Sequence, residues 1–390
     1  MKYIDEYRDG ARARAIAASI AAEVRPDRTY AFMEFCGGHT HAISRYGIED
    51  LLPANLHMIH GPGCPVCVLP VGRIDDAIGL ARRPGVTLCT YADMLRVPAS
   101  KGASLLKAKA EGADIRMIYS PLDAVRIAEA EPLRQVVFFA IGFETTTPPT
   151  AVALKAAEAK GLGNFSVFCN HVLTPVAMRA ILDTPADDGE PPIAIEGFVG
   201  PAHVSTIIGM EPYREFAEND RKPVVIAGFE PLDVMLAILM LVRQVNGQRS
   251  DVENQYIRAV TPAGNTTAQA LCAEVFEARD DFEWRGLGVL PASALKLRDK
   301  YARFDAEKRF AIETVHADDN PACECGAILR GQKKPAECKL FGTVCTPETP
   351  MGACMVSSEG ACAAHWTYGR FREHQPKRPS ATPVTLCSAS

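Results

Sequence analysis

The chain has 390 residues, of which 47% are hydrophobic and 23% are charged, as in ordinary soluble proteins of two or three domains. Its net charge of −5 at pH 7 gives no electrostatic argument for a nucleic-acid partner. The longest apolar run, residues 232–242, includes Asp233 and is too short to cross a bilayer, so it predicts a buried helix and no membrane span. The first residues lack the charged-then-apolar order of a signal peptide, and we expect a cytoplasmic protein whose 13 cysteines stay mostly reduced.

Apolar runs alternate with helix-like segments along the first 247 residues. A helix is predicted at residues 11–24, and the predicted strands are residues 30–35, 56–60, 86–90, 115–119, 136–141, 165–170, 193–198 and 224–227. The helices predicted between these strands include residues 74–82, 105–112, 151–159 and 176–182. This alternation predicts an α/β protein whose strands form mostly parallel sheets.

The composition changes along the chain and suggests a division into domains. We predict two parallel-sheet α/β domains, at residues 1–135 and 136–247, and a more charged, helical connecting region at residues 248–320. A small, irregular, Cys-rich module follows at residues 321–372, where Gly and Pro interrupt regular elements. The Pro-rich residues 373–390 predict a disordered tail.

Reactive residues in open α/β sheets gather where parallel strands end. The first predicted strand ends in Cys36-Gly37-Gly38-His39-Thr40-His41. The glycines let the backbone approach a ligand closely, a Cys36 thiolate suits a soft metal, and imidazole suits iron, zinc or copper. Two alternatives stay open: His39 or His41 activates Cys36 as a nucleophile, or Cys36 is a buried structural thiol beside surface histidines.

The second predicted strand leads into Gly61-Pro62-Gly63-Cys64-Pro65-Val66-Cys67. A Cys-x-x-Cys pair can close a disulfide reversibly, so we interpret Cys64 and Cys67 as a redox dithiol beside Cys36. The alternative is a zinc site in which Cys36 and His39 complete the ligand set of the pair.

Polar residues also follow the later predicted strands. They include Glu144, Asn170, His171, Glu196 and His203. Taken singly, such residues more often cap elements or satisfy buried groups than bind ligands. Three further cysteines lie in apolar segments and are interpreted as ordinary buried thiols; these are Cys89, Cys169 and Cys272.

The C-terminal module holds six cysteines in the pattern C-x-C-x12-C-x6-C-x8-C-x7-C, namely Cys323, Cys325, Cys338, Cys345, Cys354 and Cys362. Structural zinc ribbons use two short C-x2–4-C knuckles, which this pattern lacks, whereas a [4Fe–4S] cluster takes four thiolates and tolerates wider spacing. We therefore predict a [4Fe–4S] cluster, with zinc as the alternative. The two thiols left over could relay electrons between the cluster and a disulfide.

Taken together, these motifs resemble the HypD family of hydrogenase maturation factors. The resemblance rests on CGGHTH at residues 36–41, GPGCPVC at 61–67, GFETTTPP at 142–149, PAHV at 201–204 and the cysteine block 323–362. It spans about residues 5–372, with all motifs in one order. It implies two α/β domains and a C-terminal [4Fe–4S] module similar to the arrangement in ferredoxin–thioredoxin reductase.

The resemblance also implies a function and partners. Members of the family help to assemble the Fe(CN)2CO group of [NiFe] hydrogenases, together with a small HypC-like protein that shares the iron and a HypE-like protein that delivers cyanide. We expect this chain to be a monomer within that complex. It would be an assembly scaffold with redox function rather than a conventional turnover enzyme.

The same resemblance implies roles for individual residues. Cys36 is expected to bind the transient Fe(II) that carries CN and CO, with His39 supporting it as a ligand, an acid–base group or a neighbour, and Cys64 with Cys67 is expected to be the redox dithiol. The cluster is expected on Cys338, Cys345, Cys354 and Cys362, with Cys323 and Cys325 as the spare redox pair. The likeness to the reductase also allows one of that pair on the cluster in place of Cys354.

Two other functions stay open from the sequence. One is a stand-alone disulfide reductase that uses the cluster with Cys64 and Cys67. The other is an interaction protein that binds zinc through its cysteines.

Overall fold

The computed structural model describes residues 4–184 and 194–372, so the predicted tail at 373–390 lies outside the described residues. The strands are β1 (Tyr30–Glu34), β2 (Leu56–His60), β3 (Val86–Thr90), β4 (Ile115–Met117), β5 (Gln135–Gly142), β6 (Phe165–His171), β7 (Gly197–Pro201), β8 (Val224–Ala227), β9 (Val252–Asn254), β10 (Phe276–Ala278), β11 (Asp281–Trp284), β12 (Gly288–Pro291) and β13 (Leu295–Leu297). The α-helices are α1 (Gly10–Glu23), α2 (Gly37–Tyr46), α3 (Pro65–Val68), α4 (Val71–Ala81), α5 (Leu105–Ala110), α6 (Pro121–Ala130), α7 (Thr147–Ala159), α8 (Thr174–Asp183), α9 (Ala202–Ile208), α10 (Arg214–Glu218), α11 (Pro231–Asn246), α12 (Thr266–Val275), α13 (Ala306–Phe310), α14 (Cys325–Leu329) and α15 (Ala361–Ala364).

The predicted α/β class with parallel sheets is confirmed. One sheet has five strands in the order β2-β1-β7-β8-β9, and a second has four strands in the order β4-β3-β5-β6. Neighbouring strands in both sheets are parallel. The strands consist mostly of buried apolar residues, as expected when helices cover both faces of a sheet.

The two sheets do not follow the predicted division of the chain at residues 135 and 136. The first sheet joins β1 and β2 to strands that begin at Gly197, and β3 of the second sheet pairs with β5. Local strand patterns do not encode this choice of partners, because pairing depends on long-range packing. The strand predicted at residues 193–198 is β7, which begins at Gly197; residue 193 lies outside the described residues.

The region at residues 248–320 is more mixed than the helical region predicted for it. Besides α12 and α13 it contains β9 and two antiparallel pairs, β10 with β13 and β11 with β12. The β11–β12 hairpin turns at Gly286 and Gly288, whose φ angles are +81° and +78°, a conformation that favours glycine.

The apolar run at residues 232–242 lies in α11, as predicted, and packs against α1. Its Asp233 is fully buried and accepts hydrogen bonds at 2.9 Å from Nη1 of Arg258 and from Nε2 of Gln255. Across residues 4–184 and 194–372, no helix is both long and apolar enough to cross a membrane.

The C-terminal module is irregular, as predicted, and it lies against the ends of the first sheet. Besides α14 and α15 it consists of short 3-10 turns and a π-helical turn at His365–Gly369. A Cβ added to Gly37, the first residue of α2, would lie 2.8 Å from the Oε2 atom of Glu359. The module therefore reaches the loop that follows β1.

Candidate functional site

The loops that follow β1 and β2 touch each other. The two strands are parallel neighbours that end together, with Glu34 opposite His60. The N–H of Gly37 donates to the carbonyl of Gly63 at 3.1 Å, and a Cβ added to Gly63 would lie 2.6 Å from the Cα of Cys36. Only glycine permits so close an approach. The Cys36 loop and the loop that carries Cys64 therefore form one site.

Cys36 is the N-cap residue of α2, and it is 6% exposed. Its N–H donates to Oε2 of Glu34 at 2.9 Å, and its Sγ lies 3.9 Å from Nδ1 of His203. Burial and the charges of Glu359 and Glu34 raise the pKa of the Cys36 thiol well above its usual value. A bound cation would reverse that effect, because a metal-bound thiol is deprotonated.

His39 lies on the first turn of α2 and is fully buried. Its Nε2–H donates to the carbonyls of Ala227, at 2.9 Å, and of Gly228, at 3.1 Å. Burial lowers the pKa of His39, so the ring is neutral at pH 7. In the part of the chain that the structure describes, Nδ1 has no hydrogen-bond partner, so this nitrogen is a hydrogen-bond acceptor without a donor.

The imidazole beside the Cys36 sulfur belongs to His203, which the sequence placed among the strand-end residues but not in the site. His41 instead faces the C-terminal module, where its Nδ1 lies 3.4 Å from the carbonyl oxygen of Ser358 and its ring packs edge-on against Tyr368. His203 follows β7, the other neighbour of β1. Knowledge of that strand pairing would have identified it, because parallel strands end at one edge.

Glu34 is a second residue that sequence reasoning missed. Its carboxylate is fully buried and accepts hydrogen bonds from the Cys36 N–H, from the Thr40 hydroxyl and from Nδ1 of His60, the last at 2.8 Å. Burial alone would lower the pKa of His60, but the hydrogen bond and charge of Glu34 raise it. Glu34 thus connects the two strand-end loops.

Cys64 and Cys67 form a disulfide across α3. Both residues are buried, and the Cys67 sulfur lies 4.0 Å from the carbonyl oxygen of Ala353 in the C-terminal module. A disulfide is the oxidised state of a redox dithiol. It lies between the Cys36 loop and the residue that precedes Cys354.

The six cysteines of the C-terminal module line one cavity. Apolar side chains that include Ile328, Leu340 and Phe341 complete its wall, and the cysteines in the lining are Cys323, Cys325, Cys338, Cys345, Cys354 and Cys362. The backbone N–H of Met351 donates to the Cys345 sulfur at 3.4 Å, as expected for loops that direct N–H groups at sulfur.

Six cysteines around one cavity are a donor set that could hold an iron–sulfur cluster or a zinc ion. Burial and the charges of neighbouring thiolates raise the pKa of Cys362 well above its usual value, so these thiols ionise together only around a strongly positive group. Among the described residues, no three His, Cys, Asp or Glu side chains converge to hold one metal ion.

Comparison with known proteins agrees with the motifs. The family model described as "HypD: Hydrogenase formation hypA family" matches residues 11–369. The chain is 72% identical over 373 residues to hydrogenase maturation factor HypD of Rhizobium leguminosarum bv. viciae, covering 96% of this chain and 97% of that protein. It is 68% identical to HypD2 of Bradyrhizobium diazoefficiens, with 97% and 100% covered, and 64% identical to HypD of Azotobacter vinelandii, with 96% and 98% covered.

Proposed function

This chain belongs to the HypD family of hydrogenase maturation factors, and from that membership we propose that it is a redox-active scaffold for assembly of the Fe(CN)2CO group of [NiFe] hydrogenase. One observation carries the proposal. The Cys36 loop, the Cys64–Cys67 disulfide and the cavity with six cysteines are contiguous at one end of the first sheet. This adjacency supports the assignment of Cys36 to iron, of Cys64 and Cys67 to electron transfer and of the cavity to a cluster.

The iron under assembly is the substrate, and Cys36 supplies the thiolate that binds it. Soft thiolate donors suit low-spin Fe(II) that carries cyanide and CO. His203, whose Nδ1 lies 3.9 Å from the sulfur, supports this thiolate as a neighbouring group. His39 supports the loop, because its hydrogen bonds to Ala227 and Gly228 fix α2 against the end of β8.

A partner completes the ligand set of the iron. The described part of the chain offers no group of three donors around one ion, which suits a scaffold that must later release its iron. A HypC-like protein supplies the missing ligand, and a HypE-like protein delivers cyanide. We place this chain in that complex as a monomer, in the cytoplasm.

The ligands assigned to a [4Fe–4S] cluster are Cys338, Cys345, Cys354 and Cys362, and the spare redox pair is Cys323 with Cys325. When bound, the cluster would supply electrons one at a time. Reduction of the Cys64–Cys67 disulfide takes up two electrons and two protons, so a one-electron carrier protein must act twice.

Single Ser variants decide the ligand assignment, since all six cysteines line the cavity. Loss of cluster sulfide in a Cys323 or Cys325 variant, with retention in a Cys354 variant, would support the alternative ligand set.

The test is anaerobic copurification with a HypC-like partner, followed by infrared spectroscopy. We expect CN and CO bands from the wild type and from Cys272→Ser, a control whose thiol lies in α12. Cys36→Ser should lose the bands and keep its cluster iron and sulfide. Bands of wild-type intensity in Cys36→Ser would contradict the proposal.

A second candidate function is a stand-alone disulfide reductase. The position of the disulfide favours this function. The Cys67 sulfur lies 4.0 Å from the carbonyl oxygen of Ala353, a residue next to the cysteine cavity. Rapid turnover of a thioredoxin-like disulfide with a one-electron donor, and no diatomic ligand on iron, would establish this function instead.

A further inference from the structure

The tip of the β11–β12 hairpin lies between the disulfide helix α3 and the cysteine cavity. On one side, the backbone N–H of Arg285 donates to the carbonyl of Val68 at 2.8 Å, and its Nε–H donates to the carbonyl of Leu69 at 2.9 Å. On the other side, a Cβ added to Gly286 would lie 2.8 Å from the Cα of Gly326 in α14. The hairpin therefore contacts both the end of α3, the helix that carries Cys67, and α14, the helix that begins at Cys325.

The guanidinium group of Arg285 is buried beside the cavity. Its side chain is 1% exposed, and Nη1 lies 3.3 Å from Oδ1 of Asp319, a carboxylate whose side chain is 36% exposed. Across the described residues, Nη2 has no hydrogen-bond partner. An unsatisfied buried donor is unfavourable, and a charge this deep is screened little by solvent. The next residue, Gly286, packs against Gly326, which directly follows Cys325, a residue in the lining of the cavity.

We propose that Arg285 is a positioning residue that holds the Cys64–Cys67 disulfide beside the cluster cavity and sets the reduction potential of the cluster. This inference rests on the cluster of the proposed function. A one-electron reduction adds one negative charge to the cavity. A fixed positive charge in a poorly hydrated interior stabilises that reduced state, so Arg285 raises the midpoint potential of the cluster.

The test uses the full-length chain with its cluster and a redox titration followed by electron paramagnetic resonance. We expect Arg285→Met, which keeps the length of the side chain but removes its charge, to lower the midpoint potential. Arg285→Lys keeps the charge and should shift the potential less. Arg126→Met removes a 72% exposed charge and should leave the potential unchanged. An Arg285→Met cluster with the wild-type potential would overturn the proposal.

A second variant covers the case in which Arg285→Met fails to assemble a cluster. Asp319→Asn removes the partner that partly neutralises the guanidinium and should raise the midpoint potential, whereas an unchanged or lower potential would overturn the role of Arg285. Iron and acid-labile sulfide are measured in every sample. A wild-type chain without sulfide would contradict the proposed function and Arg285's role together, while intact clusters with unmoved potentials would contradict only the role of Arg285.

Discussion

At the scale of single residues, the environment of the Cys36 thiol determines what can bind there. Burial and the negative charges of Glu34 and Glu359 favour the protonated thiol. Metal coordination removes the thiol proton and offsets that preference. The residue is therefore poorly suited to act as a free nucleophile, and the two carboxylates near it would favour a bound cation.

Substitution of His203 tests whether this residue contributes to the iron affinity of the site. Since its Nδ1 lies 3.9 Å from the Cys36 sulfur, we expect His203→Gln to weaken iron binding by about 10–100-fold, the usual effect of removing a group next to a metal ligand. His41→Gln is the matched control, because His41 faces Ser358 and Tyr368 instead. Competition with a chelator under anaerobic conditions measures both affinities, and equal affinities in the two variants would refute a role for His203.

At the scale of elements, the sequence located most of the strands that precede residue 248. The strands predicted at residues 56–60, 86–90 and 224–227 have the observed bounds. Composition locates these strands because they are short apolar runs, and every residue of β3 and β8 is buried. The β11–β12 hairpin was missed because its strands are short and β12 is mostly exposed.

Strand partners could not be predicted, and that gap explains the two missed site residues. His203 enters the site only because β7 pairs with β1, although about 170 residues separate it from Cys36. Glu34 looked like an ordinary strand end, and its hydrogen bonds to Cys36 and His60 depend on the pairing of β1 with β2. Cysteine spacing, by contrast, is local, and the six terminal cysteines do share one cavity.

The contact between the first two strand-end loops depends on Gly63. A methyl group there would lie 2.6 Å from the Cα of Cys36, so we expect Gly63→Ala to lower the free energy of unfolding by about 1–3 kcal/mol and to reduce iron retention. Gly163→Ala is the control, because its added methyl meets no atom within 4 Å. Urea unfolding of both variants measures the effect, and equal stabilities would show that the loops are not closely packed.

At the scale of the whole molecule, the two sheets are interleaved along the chain. The first sheet contains β1 and β2 and also β7, β8 and β9, which follow all four strands of the second sheet along the chain. The C-terminal module then packs against the loop after β1. The site therefore depends on contacts between distant parts of the chain, and changes in global stability affect it.

The buried Glu144 makes that stability depend on pH. Its carboxylate accepts hydrogen bonds from the N–H and hydroxyl of Thr174, yet burial raises its pKa from 4.5 to about 7. Between those values the unfolded chain loses the proton and the folded chain retains it. Ionisation of Glu144 therefore lowers stability progressively as pH rises, by about 3 kcal/mol once the pH exceeds 7.

Glu144→Gln should remove this component of the pH dependence. From pH 5 to pH 8, we expect the wild type to lose about 2–3 kcal/mol more unfolding free energy than the variant does. Urea unfolding at several pH values measures the difference. Parallel pH profiles for the two proteins would mean that Glu144 ionises as easily in the folded chain as in the unfolded one.

We propose two separate iron populations, one on Cys36 and one on the C-terminal cysteines. The Mössbauer spectrum of the complex with a HypC-like partner tests this most directly. We predict that the wild type shows cluster iron together with low-spin Fe(II), and that Cys36→Ser loses only the low-spin Fe(II). A Cys36→Ser spectrum that retains both components, or loses both together, would contradict the claim.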